Sequence, residues 1–394
     1  MQTNRGSDTT QNNGLIFVSA YPPAKGRNSE FAEALINELK RKISKEITLF
    51  TTKEFNCNIH FNEKKIKIIP TFKPDDLFDI AKLGFKIAFF KSRLIHFNFH
   101  MRIFGKSRIS NFLGLTLLPI LAKISKKKVI VTLHDVPDNI ILEKVNLKNN
   151  VINRIGIFLA VKILVKFTDI VVVQVKNYVK KLKERYGCRN VVWIPHGAWF
   201  TDIPQPWKNN NSNYNILFIG YLNTHKNIEI LTLALQTLKE KYPKIQLIIA
   251  GRPHPDYPDE ILRIKNLISQ FKFVKYVGYI PKNKVPDFIK KIRLAVLPYS
   301  TCTGTSGIVY FLSGLGIPII TSNAPEFLEL KKQEAGILPV KLNPKDIAEA
   351  IEKIFEDEQL ADDLSRKTRN FALNNSWCKI ADAYMELYRK LENA

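Results

Sequence analysis

The side chains best suited to holding phosphate lie in three loop-like segments, each following a hydrophobic run. The densest is Pro298 to Gly307, where Thr303, Gly304, Thr305, Ser306 and Gly307 place two glycines and three hydroxyls in succession. Small, hydroxyl-rich residues between a strand and a buried helix make a nest of N–H and O–H groups that suits an anion. A second segment runs from Gly220 to Asn227, with Lys226 at the start of a helix, where an ammonium reaches a phosphate bound at the helix end. The third is Tyr21 to Ser29, in which Gly26 permits close approach and Lys25 and Arg27 flank it with charge. The plainer alternatives are an ordinary turn with a solvated basic pair and a surface lysine.

Proton chemistry points to histidine. Thr132, Leu133, His134 and Asp135 end a strongly β-forming run, so His134 lies at a strand's carboxyl end, placed to donate to a substrate or to exchange a proton. A ring satisfied by a neighbouring carbonyl is the alternative. His96 and His100 end another such run; their spacing of four falls outside any helix, which argues against zinc. His196, before Gly197, reads as part of a turn. The glycine fingerprint of dinucleotide enzymes, the P-loop, H-E-x-x-H and a D-x-D pair are all missing from the sequence.

These segments need strand ends to hold them, and the chain supplies strands alternating with amphipathic helices. Strand runs are expected at 14–20, 47–51, 94–99, 129–133, 169–173 and 191–194, with helices near 29–43, 75–91, 107–125, 151–166 and 176–186. Pro204 to Asn213 has a linker's composition. Strands then recur at 214–219, 245–250, 273–277, 294–298 and 318–321, with helices from 226 and near 259–270, 344–355, 359–373 and 379–391. The expectation is an α/β chain of two Rossmann-like lobes with parallel sheets: a loose polar tail over 1–13, a first lobe over 14–203 and a second over 204–375.

Composition agrees with a folded chain and adds a partner. The 394 residues are 45% hydrophobic, with 60 Lys and Arg against 36 Asp and Glu, a net charge of +24. The first 200 residues carry +19 of it, and Ile80 to His134 holds eleven cations and no acid. Such a field favours polyanions: nucleic acid, an anionic membrane or a phosphorylated substrate. No nucleic-acid module is recognisable, so no nucleic acid is expected. The eleven cations are interleaved with Phe85, Phe89, Phe90, Phe97, Phe99, Phe104 and Phe112, a mixture that suits docking on an anionic leaflet or, equally, a core beneath a solvated face. Cys57, Cys188, Cys302 and Cys378 form no C-x-x-C pair, which suits a reducing cytosol. With no leader and no apolar span expected, the chain reads as cytoplasmic, peripheral on the inner face of the membrane at most.

In this order the segments resemble the retaining GT-B glycosyltransferases of family 4 (glycosyl transferases group 1), over nearly the whole chain. The resemblance rests on the proline–glycine loop Tyr21 to Gly26, on Thr132 to Asp135, on Ile194 to Gly197, on the Gly–Lys loop Gly220 to Lys226, and on Ala250-Gly251 followed by Val277-Gly278-Tyr279-Ile280. It implies a nucleotide-diphosphate sugar in a cleft between lobes, its base near Gly251, Val277, Gly278 and Ile280, its phosphates near Gly26, Gly220, Lys226 and Thr303 to Gly307. The acceptor, a glycan or lipid-linked sugar, would lie on the first lobe, on the side of Lys25, Arg27, His96, His100 and Asp135. Lys226 and the amides of Thr305 to Gly307 would stabilise the pyrophosphate, and His134 would contact the transferred sugar, making His134 and Lys226 the catalytic pair. The resemblance further implies retained anomeric configuration, no metal or cofactor, and a last helix within 376–394 that packs back on the first lobe. Two positions depart from the family pattern. Thr303 and Phe311 stand where it has two Glu, and Tyr221 stands where an Arg is common. They mark a divergent branch; the rival reading is a catalytically silent scaffold or subunit of a glycan-assembly complex.

Overall fold

The computed structural model describes residues 14–24, 26–53, 65–136, 151–209, 214–254, 257–302 and 304–393, with the side chain of Arg27 left out. They form two units. One holds the chain up to Pro195 together with the residues from Ile380 on; the other runs from His196 to Lys379.

In the first unit, short runs of Val, Ile, Leu and Phe form β1 (Leu15–Val18), β2 (Ile47–Thr52), β3 (Ile66–Phe72), β4 (Leu94–Phe99), β5 (Lys128–Leu133), β6 (Ile170–Val173) and β7 (Val191–Trp193). All pairings are parallel and the order is β3-β2-β1-β4-β5-β6-β7. The helices are α1 (Arg27–Lys42), α2 (Leu77–Phe89), α3 (Arg108–Ile124), α4 (Val151–Lys166) and α5 (Lys176–Tyr186). Two begin on side-chain caps: Asp76 accepts from the Asp79 amide, and Ser107 from the Ser110 amide. The inner strands are buried on both faces, as in parallel sheets generally, which is why they read as apolar runs.

The second unit repeats the plan with β8 (Asn215–Leu222), β9 (Gln246–Pro253), β10 (Val274–Gly278), β11 (Leu294–Leu297), β12 (Ile319–Ser322) and β13 (Ile337–Val340), ordered β10-β9-β8-β11-β12-β13 and parallel throughout. Its helices are α6 (Ile228–Leu238), α7 (Glu260–Gln270), α8 (Val285–Ile289), α9 (Gly307–Ser313), α10 (Pro325–Lys332), α11 (Pro344–Glu356) and α12 (Glu358–Asn374). A last helix, α13 (Trp377–Glu392), belongs to the first unit from Ile380 onward.

In each sheet the chain reverses direction beside its first strand: between β1 and β4 in one, between β8 and β11 in the other. The crevice outside the carboxyl ends at such a reversal is where open α/β sheets bind ligands.

The boundary between units falls at Pro195/His196, eight residues before the one expected from composition. The reason is packing. The Ala198 amide donates to the Asn375 carbonyl at 2.7 Å, and the Arg369 guanidinium donates to the carbonyls of Phe200, Ile203 and Gly314. Trp207, inside the linker-like stretch, is buried, its indole N–H shared between the Ile292 and Arg293 carbonyls. These residues are the floor of the second unit.

Candidate active site

In the first unit the crevice is built on Asn98, a fully buried amide near the carboxyl end of β4. Its Nδ2 donates to Ser19 Oγ at 2.9 Å and to the Asn28 carbonyl at 3.4 Å, which turns Oδ1 toward His134. His134, just past β5, lies with Nε2 2.7 Å from that oxygen and Nδ1 3.0 Å from Gln174 Oε1, its ring edge-on to Phe31 of α1. Nε2 is therefore the donor to Asn98, and the imidazole is held on both sides at the carboxyl edge of the sheet. A half-buried, clamped ring of this kind can present its edge to a ligand without reorienting.

The other residues expected on the acceptor side divide. Lys25 lies outside the described residues, as does the Arg27 side chain; Gly26 is the N-cap of α1 with φ of 135°, open space where a Cβ would stand, and no side-chain cap. Asp135 accepts from the Met101 amide at 2.9 Å, and the His100 ring from the Arg102 amide at 3.2 Å; both brace the turn after β4. His96 does not face a ligand. It is fully buried, with Nδ1 2.7 Å from Tyr388 Oη and Nε2 2.8 Å from Thr132 Oγ1, which lies 2.7 Å from Tyr384 Oη. Both tyrosines come from α13, so the expectation for His96 is corrected: it seals that helix onto the sheet. Burial alone pulls its pKa down to about 3.

The second unit brings its expected and described residues to the carboxyl ends of β8, β9, β10 and β11. Thr224–Lys226 forms a single 3₁₀ turn after β8, closed by Asn227 in a left-handed conformation. Asn227 Nδ2 donates to the Pro298 carbonyl at 3.0 Å and the Ser300 amide to the His225 carbonyl at 3.0 Å, tying the turn to the end of β11. This sets Lys226 Nζ 3.2 Å from the ring centre of the buried Tyr299, which holds the ammonium at the reversal point. Gly220 and Gly251 are paired across β8 and β9 with φ of 144° and 139°; a Cβ on Gly251 would stand 1.8 Å from the Gly220 carbonyl oxygen. Gly251 is required by the close approach of two strands, and Gly220 by its positive φ.

Thr303 lies outside the described residues. Gly304 has φ of 74°, and Thr305 and Ser306 are buried ahead of α9. The Gly307 amide donates to the Thr305 carbonyl at 3.1 Å, so this amide, expected to face a phosphate, is committed inside the turn. Behind it stands the buried His196, 3.3 Å from where a Gly307 Cβ would be and surrounded by Trp199, Tyr310 and Trp377. Phe311 packs on Trp199 and Phe200, extending this aromatic wall. In the expected base region Gly278 has φ of 71°, Val277 and Tyr279 are exposed, and Ile280 packs on the core. Arg252 lies over the Tyr279 ring at 4.1 Å. Tyr221, where the family pattern commonly has Arg, sets its ring edge against His254.

Sequence reasoning passed over Asn98, Gln174, Asn227 and Tyr299. Asn98 was detectable as the one amide between Phe97 and Phe99; Tyr299 lay in a quoted segment but carried no charge to attract notice. Among the described residues no three of His, Cys, Asp and Glu gather as metal ligands, and no helix is long and apolar enough to cross a membrane.

Residues 200–371 match the family described as glycosyl transferases group 1. Spore coat protein SA of Bacillus subtilis is 25% identical over 185 residues, 44% of this chain and 48% of that protein; the matching segments span half or less of the curated relatives' length. Sucrose-phosphate synthase from Thermosynechococcus elongatus superposes with a TM-score of 0.76 at 18% identity, covering 97% of this chain and 99% of that one. Anabaena HepE, solved in complex with UDP, gives 0.71 at 14%, covering 96% and 100%. At such identities the likeness is one of fold. The second unit thus matches the group 1 glycosyltransferases, and the two units together share the GT-B fold.

Proposed function

We propose that the chain is a group 1 glycosyltransferase that moves a sugar from a nucleotide diphosphate to a glycan or lipid-linked acceptor. The observation that carries this is the convergence, inside the matched residues 200–371, of Lys226, the Gly220–Gly251 pair and the Gly304–Gly307 loop around one strand reversal. The donor diphosphate would lie against Lys226 and the helix start at Gly307, where an ammonium and hydroxyls oppose the charge that grows as the leaving group departs. The base would lie beside Gly251 and Tyr279. HepE, which shares the fold, was solved with UDP and with UDP-glucose, so UDP-sugars are the first donors to try. His134 would face the transferred sugar and the acceptor would bind the first unit. Retention without a metal is part of the same reading: Lys226 supplies the positive charge that a cation would otherwise bring.

Phe311 favours a second reading. Half-buried in an aromatic wall where the family pattern places a carboxylate, it removes a polar contact, as in a silent scaffold. Titration calorimetry with UDP and GDP, then a screen of UDP-, GDP- and ADP-sugars for hydrolysis or transfer, separates the two. The enzyme reading expects nucleotide binding that weakens at least about tenfold in Lys226→Ala, the loss of one charge-assisted contact, together with turnover of one donor. Binding without turnover of any donor supports the scaffold, and no nucleotide binding at all defeats the enzyme reading.

A further inference from the structure

The candidate sites leave one surface of the first unit unexplained. From β3 the chain crosses β2 and β1 to β4, then continues through β5 and β6 to β7 in one direction. Right-handed crossovers therefore place α2, α3, α4 and α5 in that order on one face, while α1, returning from β1 to β2, lies on the other. α2 packs on α3, α3 on α4 and α4 on α5.

The outer side of this layer is unlike a water-facing helix row. On α2, Phe78, Phe85 and Phe89 are 68%, 61% and 83% exposed and fall with Lys82 on one stripe, Lys82 Nζ lying 4.2 Å from the Phe78 ring centre. On α4, Ile152, Ile155 and Leu159 are exposed on a stripe that continues into Lys162 and Lys166. Ile109 and Ile124 are exposed at the two ends of α3. By contrast Phe97, Phe99 and Phe104 of the basic stretch are core, so its aromatic residues divide between interior and surface. Acid is almost missing from the layer. α2 holds only the buried Asp79, α3 and α4 hold none, and α5 holds Glu184 among five cations.

We infer that this helix layer docks on an anionic lipid bilayer. Exposed Phe and Ile side chains flanked by Lys are what inserts among acyl chains while ammonium groups meet lipid phosphates. A second copy is a poor occupant, because two such cationic faces repel. Nucleic acid would satisfy the charge but offers nothing to the aliphatic stripe of α4. Each of these helices runs back antiparallel to the strands it joins, so Phe78, Ile109 and Ile152, at their starts, lie near the same sheet edge as Asn98 and His134. Docking would bring that edge to the headgroups, where a lipid-linked acceptor presents its sugar. The surface itself does not depend on the nucleotide-sugar reading.

The test is sedimentation of the full chain with phosphatidylcholine vesicles, with and without about one third phosphatidylglycerol. Binding is expected only to the anionic vesicles, weaker at high salt, and reduced about tenfold or more by Phe78→Ser with Phe85→Ser and Phe89→Ser. Should that triple variant lose its cooperative melt, Ile152→Ser with Ile155→Ser, or Lys82→Glu with Lys86→Glu, is expected to give the same loss. Absence of anionic-vesicle binding, or binding unchanged in all these variants, overturns the inference. So does a Phe-dependent dimer in sedimentation equilibrium, or duplex DNA binding that the lysine variant abolishes, if vesicles do not bind. Thermal stabilisation by UDP, read on the same samples, reports the donor reading separately and is expected to survive every variant.

Discussion

His96 shows how a residue type with catalytic potential becomes a structural one. Both ring nitrogens are occupied by side-chain hydroxyls, three aromatic rings enclose it, and burial holds its pKa near 3. The unfolded chain binds a proton at this residue below its ordinary value of 6.5, while the native state does not, so stability rises with pH between those values. Calorimetric melts between pH 6 and 5 are expected to show a loss of about 1 kcal/mol per unit assignable to His96. His96→Asn should remove that slope, whatever it costs at neutral pH through the tyrosines it orphans. A slope unchanged in the variant would place the titration elsewhere. His134 directly follows the strand that pairs with that of His96, yet its partners are amide oxygens at the crevice and its ring is only half-buried. Nothing in the local sequence separates the two. The difference is made by α13, which covers one histidine and not the other.

At the scale of elements, the glycines of the second unit are the sharpest test of the strand geometry. Gly251→Ala puts a methyl group inside contact distance of a carbonyl on the neighbouring strand and asks a non-glycine residue to hold φ of 139°. A cost above about 3 kcal/mol is expected from strain and overlap together. Gly26→Ala meets the same kind of dihedral angle with open space around it and should cost only about 1–2 kcal/mol. Urea melts of the two variants should rank in that order. The elements themselves were largely legible, because parallel strands buried on both sides are uniformly apolar and their helices carry an amphipathic period. β3 and β13 were not. Both are edge strands, both contain a proline, Pro70 and Pro339, and both are only partly buried, so the apolar run that marks a central strand is absent. The phosphate-type loops were legible by glycine and hydroxyl content. Which of their amides are free was not, since the Gly307 amide is consumed by a turn whose closure depends on backbone angles.

For the whole molecule, the linker composition around Pro204 misled because Trp207 anchors that stretch to the carbonyls of Ile292 and Arg293, residues far along the chain. The first unit is likewise completed from afar, by the chain beyond Ile380. Removing residues 380–394 would strip Tyr384 and Tyr388 from His96 and Thr132 and open to water the apolar surface that α13 covers. Scanning calorimetry and limited proteolysis of such a variant should find the first unit loosened and the second still cooperative. Loss of both together would mean that the units do not fold independently.

That discontinuity also sets an order in time. His96 and Tyr388 are separated by 292 positions, and the whole second unit is synthesised between them. A nascent chain can close the second unit while the first still waits, its sheet assembled against a missing helix with a polar site uncovered. Completion of the earlier-made unit is thus postponed until α13, made after the whole second unit, is released. Ribosome-bound chains arrested with residue 379 just outside the exit tunnel should resist protease across the second unit and remain open to it across the first.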